Sequence, residues 1–215
     1  MKVTVHWSSS RKHRIFRYAH ITFASLGCVA LGACAFAYFN AGVFQAYERW
    51  HFEKALLARP RGLAGPSPVA PVQSLRLAVK EGVLLGRIEV SRLALSVMVT
   101  EGIKPRNLRL AAGHIPGTAF PDEPGNVGIA GHRDMFFRRL REIRQGDIIT
   151  FTTLAGSPEY SVEWTRVVKP KDIDVLDVSS QPVLTLVTCY PFYYVGPAPE
   201  RFIVRARLIG RAGSS

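Results

Sequence analysis

Cysteine is scarce in this chain: three residues in 215, at positions 28, 34 and 189. Cys28 and Cys34 lie in an apolar run, and Cys189 stands alone in the polar part. It therefore has no intradomain disulfide partner, and an isolated thiol needs another explanation. Acidic residues are also few, sixteen against 28 Lys and Arg, for a formal net charge of +12. Residues 1–17 hold five basic side chains (Lys2, Arg11, Lys12, Arg14, Arg17) and no acid. A basic excess suits nucleic acid, anionic lipid or an acidic wall polymer. There is no zinc-finger spacing and no RNA-binding sheet signature, so nothing selects nucleic acid. Internal repeats are lacking too. The 47% hydrophobic and 20% charged fractions describe a folded chain. Its length leaves room for one ordinary domain plus a tail.

What is present divides the chain into four parts. Residues 1–20 form a basic N-terminus. Residues 21–39, ITFASLGCVALGACAFAYF, carry no charge and match the roughly 20 apolar residues that cross a bilayer. The basic flank favours an N-terminus inside the cell. A cleavable signal using Ala35 and Ala37, or a lipoprotein signal cut before Cys34, needs a shorter apolar core. The reading is an uncleaved anchor, with the remainder outside the cytoplasmic membrane. Residues 40–74 hold a juxtamembrane helix (45–58), then a tether, 59–73, with four prolines and two glycines. Such a segment is stiff and extended, and is expected to hold the domain off the bilayer.

From residue 75 the pattern turns to short β-branched runs: 83–90, 95–100, 127–130, 147–153, 160–168, 183–188 and 202–209. Turn residues separate them, and 105–112 and 134–143 read as short helices. Seven or eight strands with few helices argue for a closed β-barrel or sandwich over 75–215.

Three side chains carry a chemical pattern. Cys189 ends the strand PVLTLVTC, which would fix a thiol while the following loop exposes it. The thiolate is the reactive form and needs a cationic neighbour; the bland alternative is a small buried hydrophobe. Of the three histidines beyond the apolar run, His132 follows another short strand, NVGIAG. Arg201 opens the last strand, and its planar fork of donors suits an oxygen that becomes negative in an acyl-transfer intermediate. Arg205 and Arg207 read as ordinary surface arginines.

The strings TLVTC (185–189) and GHRD (131–134), with Arg201 downstream, resemble the signature of sortases, in the family's order His, Cys, Arg. GHIPGTAFPDEPGNVGIAGHRDMFF (113–137) and TCYPF (188–192) are similar to its class D and E branches. The resemblance covers about residues 83–209. It implies an all-β fold, a closed eight-stranded barrel, behind a transmembrane helix. It also implies a cysteine transpeptidase with Cys189 as nucleophile, His132 as proton-transfer partner and Arg201 as oxyanion stabiliser. The expected partners are secreted proteins with an LPxTG-like C-terminal sorting signal, and an amine acceptor on a peptidoglycan precursor or a protein lysine. His114, Thr188 and Tyr190 are expected at the substrate; for His114 a structural role is equally open. Asp134 is expected to cap the 134–143 helix. Some sortases bind calcium before the cysteine strand, but Asp172, Asp174 and Asp177 are a thin set of ligands. No metal or other cofactor is expected. The rival readings are another Cys/His hydrolase, an L,D-transpeptidase of the cell wall, or a non-enzymatic barrel that binds an envelope component.

Overall fold

A computed structural model describes residues 9–58, 79–121 and 123–211. It divides into two units, residues 1–42 and 43–215. A single helix, α1 (Ser9–Leu57), begins in the first and ends in the second. From Phe16 onward α1 is long and apolar enough to cross a membrane. The tether expected at 59–73 lies outside the described residues.

The second unit holds eight strands: β1 (Leu84–Val90), β2 (Leu95–Glu101), β3 (Ala112–His114), β4 (Asn126–Gly131), β5 (Ile148–Thr152), β6 (Pro158–Val168), β7 (Val183–Tyr190) and β8 (Glu200–Arg211). They close into a barrel in the order β1-β2-β3-β4-β7-β8-β6-β5. Closure leaves no free sheet edge. Alternate residues fill the interior: Ile88 and Val90, Val97 and Val99, Val127 and Ile129, Leu184 and Leu186, Val204 and Ala206 belong to one buried core. β4 and β7 run parallel and β8 returns antiparallel to β7. The ends of β4 and β7 and the start of β8 thus meet at one rim.

The C-terminal part of α1 packs on the barrel wall. Gln45 Oε1 accepts the Met98 amide (2.9 Å), and Gln45 Nε2 donates to the Leu110 carbonyl (2.7 Å). β3 pairs with β2 only from Val99 onward, so this glutamine satisfies an amide just before that ladder starts. Arg87 pairs with Glu53 at 3.1 Å, and Phe52 is buried.

The two expected helices are shorter than their sequence suggests. A single turn, α2 (Pro105–Leu108), replaces 105–112, because Ala111 and Ala112 are drawn fully into the barrel. Within 134–143 only a 3-10 turn forms, Arg138–Glu142. Its apolar residues Phe137, Leu140 and Ile143 recur every third position and are all buried, the period of a 3-10 rather than an α-helix. Phe137 occupies the capping position without a side-chain cap. Asp134 therefore does not cap this turn.

Candidate active site

Strand register brings the three candidate residues to one rim. Cys189 and Arg201 are direct partners across β7 and β8. On β4, Gly131 is level with Thr188, the last pair of that ladder, and His132 and Cys189 are the residues that follow them. Neighbouring strands lie about 4.8 Å apart, so three residues remote in sequence become adjacent in space. Side-chain alternation then decides the face. Leu184, Leu186 and Thr188 share the interior parity, so Thr185, Val187 and Cys189 face outward. Arg201, Ile203 and Arg205 line the same outer face of β8, by their pairing with those residues. Cys189, His132 and Arg201 are all partly exposed. Cys189 is therefore not enclosed in the barrel interior.

Local contacts hold each piece. Gly131 is tied to Phe137: an added Cβ would stand 2.6 Å from that fully buried ring. Thr188 Oγ1 donates to the Gly131 carbonyl (2.7 Å) and is buried. This bond cross-links the residues that precede His132 and Cys189. The carbonyl of His132 accepts the Phe137 amide at 3.1 Å, which curls the chain after β4. Arg201 uses Nη1 to reach the carbonyls of Glu200 (2.9 Å) and Ala198 (3.2 Å). A guanidinium has five N–H donors, so the fork keeps donors for an oxygen near the sulfur.

The other sequence-chosen residues lie elsewhere or face inward. Thr188 points into the barrel, so its contact with Cys189 is through the backbone. Tyr190 shares that inward parity and stacks with Phe202 (6.3 Å between ring centroids), with Phe192 edge-on to both. His114 is buried inside the barrel, level with Ile129. Its Nδ1 lies 2.6 Å from Glu101 Oε2, and its Nε2 donates to the Ala119 carbonyl (2.9 Å). Phe120 stacks on the ring at 4.7 Å. His132, Cys189 and Arg201 thus stand at neighbouring strand ends of one rim, while His114 lies inside the barrel.

Two groups escaped the sequence reading. Asn126, buried at the start of β4, donates to the carbonyls of Val175 and Asp177 (both 3.1 Å) and accepts from Thr185 Oγ1 (2.7 Å). Arg205 Nη1 then donates to Thr185 Oγ1 (2.8 Å) and the Val175 carbonyl (3.2 Å). Burial pushes the Arg205 guanidinium below its ordinary pKa, partly opposed by the charge of Glu163. Arg205 is thus half-buried, not an ordinary surface arginine. This network pins a 3-10 turn, Ile173–Leu176, over the outer face of β4; an added Cβ at Gly128 would meet Leu176 at 3.1 Å. The turn covers the stretch of β4 that lies level with Val183 and Thr185 of β7. An asparagine in an otherwise apolar strand was the available signal for it. The second group is Arg133, which reaches the carbonyl of Tyr194 in the β7–β8 loop.

A cavity of about 590 Å³, lined by His51, Phe52, Leu84, Phe120 and Leu154 among others, opens at the opposite end of the barrel. No cluster of three potential metal ligands occurs among the described residues.

A closed barrel with a thiol, an imidazole and a guanidinium at one rim defines a class of acyl-transfer site. The family model of the sortase domain matches residues 88–209. The chain belongs to the sortase family. Sortase D of Bacillus subtilis (strain 168) is 32% identical over 125 residues, which are 58% of this chain and 63% of that protein. The chain thus spans less than two thirds of that relative. The Clostridium perfringens sortase D5 transpeptidase shares 28% identity over 74% of this chain and 94% of its own, with a TM-score of 0.61. Clostridium perfringens sortase C, solved with the C-terminal cell wall sorting motif, shares 28% identity over 62% of this chain and 75% of its own, with a TM-score of 0.57.

Proposed function

We propose that this chain is a cysteine transpeptidase. It cleaves an LPxTG-like sorting signal near the C-terminus of secreted proteins and passes the acyl group to an amine on the cell envelope. The register of Cys189 opposite Arg201, with Gly131 level with Thr188, carries this reading.

The Cys189 thiolate attacks the carbonyl carbon of the signal's threonine. The carbonyl oxygen becomes negative and takes hydrogen bonds from Arg201. Donors fixed in advance at that oxygen are among the largest contributions to acyl transfer. The C–N bond then breaks, and protonated His132 gives its proton to the departing amine. A thioester on Cys189 remains. An incoming amine attacks it, His132 takes the proton, the C–S bond breaks and the thiolate is restored. One amide is exchanged for another, so no external energy source is needed.

α1 serves as the membrane anchor, with the basic N-terminus inside and the barrel outside. The acceptor is an amine of a peptidoglycan precursor or a lysine of another protein.

A labelled sorting-signal peptide incubated with the protein, with and without an amine acceptor, tests the reading. Cleavage in both cases is expected, with new amide product only when the amine is present. Turnover that persists in Cys189→Ala would overturn it.

A further inference from the structure

Arg133 directly follows His132, in the turn beyond β4. Its Nη2 donates to the carbonyl of Tyr194 (2.6 Å) and to that of Gly196 (3.1 Å). Its Cζ stands 5.8 Å from the centroid of the Tyr194 ring. Tyr194 and Gly196 belong to the loop that joins Cys189 on β7 to Arg201 on β8. One side chain therefore bridges the segment that carries His132 and the segment between the other two residues of the rim. A second contact runs the same way: Arg141 Nη1 donates to the Tyr193 hydroxyl, and its Cζ lies 5.4 Å from that ring.

Beyond Phe192, which packs against the core, apolar burial does little for this loop. Tyr193, Tyr194 and Val195 are 73%, 46% and 95% exposed. A loop with so little packing opens readily unless something ties it down. The loop's tight turn contributes one backbone bond, the Tyr194 amide to the Pro191 carbonyl at 3.3 Å. The two Arg133 bonds are charge-assisted, and so stronger than neutral ones.

Arg133 is nevertheless a poor stabiliser of the fold. Its Nη1 is buried with no hydrogen-bond partner among the described residues, and a buried unpaired donor is unfavourable. An apolar chain of similar length would remove that penalty along with the two bonds. The net effect on folding should then be small, while the loop loses its tie.

We propose that Arg133 is a positioning residue. It fastens the β7–β8 loop to the His132 turn and so sets the spacing of imidazole, sulfur and guanidinium. The inference rests on the assignment of those three residues to the reaction. Misplacement by about 1 Å at such a site costs up to roughly a hundredfold in rate.

The test uses the full chain, with Arg133→Met, Arg133→Lys and, as a neighbouring exposed control, Arg138→Met. Three quantities are read: the melting temperature, the alkylation rate of Cys189 by iodoacetamide followed by peptide mass spectrometry, and kcat and KM on the sorting-signal peptide. Arg133→Met should melt within a few degrees of wild type. Its kcat should fall roughly ten- to a hundredfold with KM little changed, and Cys189 should alkylate more slowly at neutral pH. Arg133→Lys, with one point charge for a planar fork, should recover part of both losses. Arg138→Met should match wild type throughout. Wild-type alkylation and kcat in Arg133→Met would overturn the proposal. So would losses that only track a lowered melting temperature. Alkylation needs no substrate, so it judges Arg133 even if the wild-type protein fails to turn over the peptide. That last failure would count against the transpeptidase reading itself.

Discussion

One methyl group added at Gly131 should damage both fold and site. Gly131 ends β4 immediately before His132. An ideal Cβ built there lies 2.6, 2.8 and 2.9 Å from Cδ2, Cε2 and Cγ of Phe137. The ring has nowhere to go, since Phe137 is fully buried among core residues. No left-handed backbone is involved, because Gly131 is not among the positive-φ glycines. The cost is therefore steric. Overpacking of this kind costs about 1–3 kcal/mol. In a domain of this size each kcal/mol moves the melting temperature by about 2–4 °C, so Gly131→Ala should melt about 2–12 °C lower. The site suffers as well. The Phe137 amide bonds to the His132 carbonyl, and the Gly131 carbonyl accepts from Thr188. Any yielding of the ring thus drags the turn that holds His132. Turnover should fall more than the folded fraction does. Calorimetry with peptide turnover on the same samples reads both effects. Phe137→Leu makes room, so the double variant should lose less than the sum of the two single losses. A melting point within about one degree of wild type, or strictly additive losses, would refute the steric argument.

Other changes separate the remaining contributions. Asn126→Ala deletes two donated bonds and one accepted bond in a buried network; a loss of about 2–3 kcal/mol is expected in denaturant unfolding. A loss below about 0.5 kcal/mol would show that these bonds do not hold the turn in place. Arg201→Lys should lose most of kcat while folding normally, because a point charge replaces the planar fork; near-normal turnover would move the oxyanion role elsewhere. Asp147 has its pKa held below the ordinary carboxylate value, chiefly by its hydrogen bond with Arg92 and, after burial, which opposes it, by the Arg144 amide. A depressed carboxylate stabilises the fold at pH values above its unfolded pKa, and loses that contribution as pH falls through its folded pKa. Asp147→Asn should therefore melt below wild type at neutral pH, and the gap should close under acid conditions, as thermal scans across pH would show. A gap that stays constant would contradict the linkage.

Most of the barrel was legible because its strands are β-branched runs bounded by turn residues, and side-chain alternation is a strong local signal. β3 was not. Ala112, Gly113 and His114 have no strand character. They pair because Gly113 lets two backbones meet: an added Cβ would lie 2.4 Å from the Gly102 carbonyl oxygen. Strand ends were also set by partners rather than by local preference. β7 runs on to Tyr190 because β8 pairs with it as far as Glu200. Residues 137–143 carried their own answer in a three-residue apolar spacing, which local helix preference obscured.

The candidate site was legible in its chemistry and not in its supports. A lone thiol after an apolar strand, a histidine after another and an arginine opening a third have recognisable residue types. Asn126, Arg205 and Arg133 act through particular carbonyls on distant segments, and no local pattern encodes those partners. Inward and outward faces were hidden in the same way. Whether Thr188 or Cys189 faces solvent follows from which neighbours fill the core, and a one-residue shift would exchange them.

In the proposed reaction the sulfur of Cys189 takes the acyl group. The direct measurement is intact-protein and peptide mass spectrometry after acid quench, with a sorting-signal peptide and no added amine. The expected result is a mass increase equal to the peptide fragment ending in threonine less one water. That increase should map to Cys189, be labile to hydroxylamine, and disappear when an amine acceptor is supplied. Peptide cleaved with no adduct on Cys189, or an adduct on another residue, would contradict it.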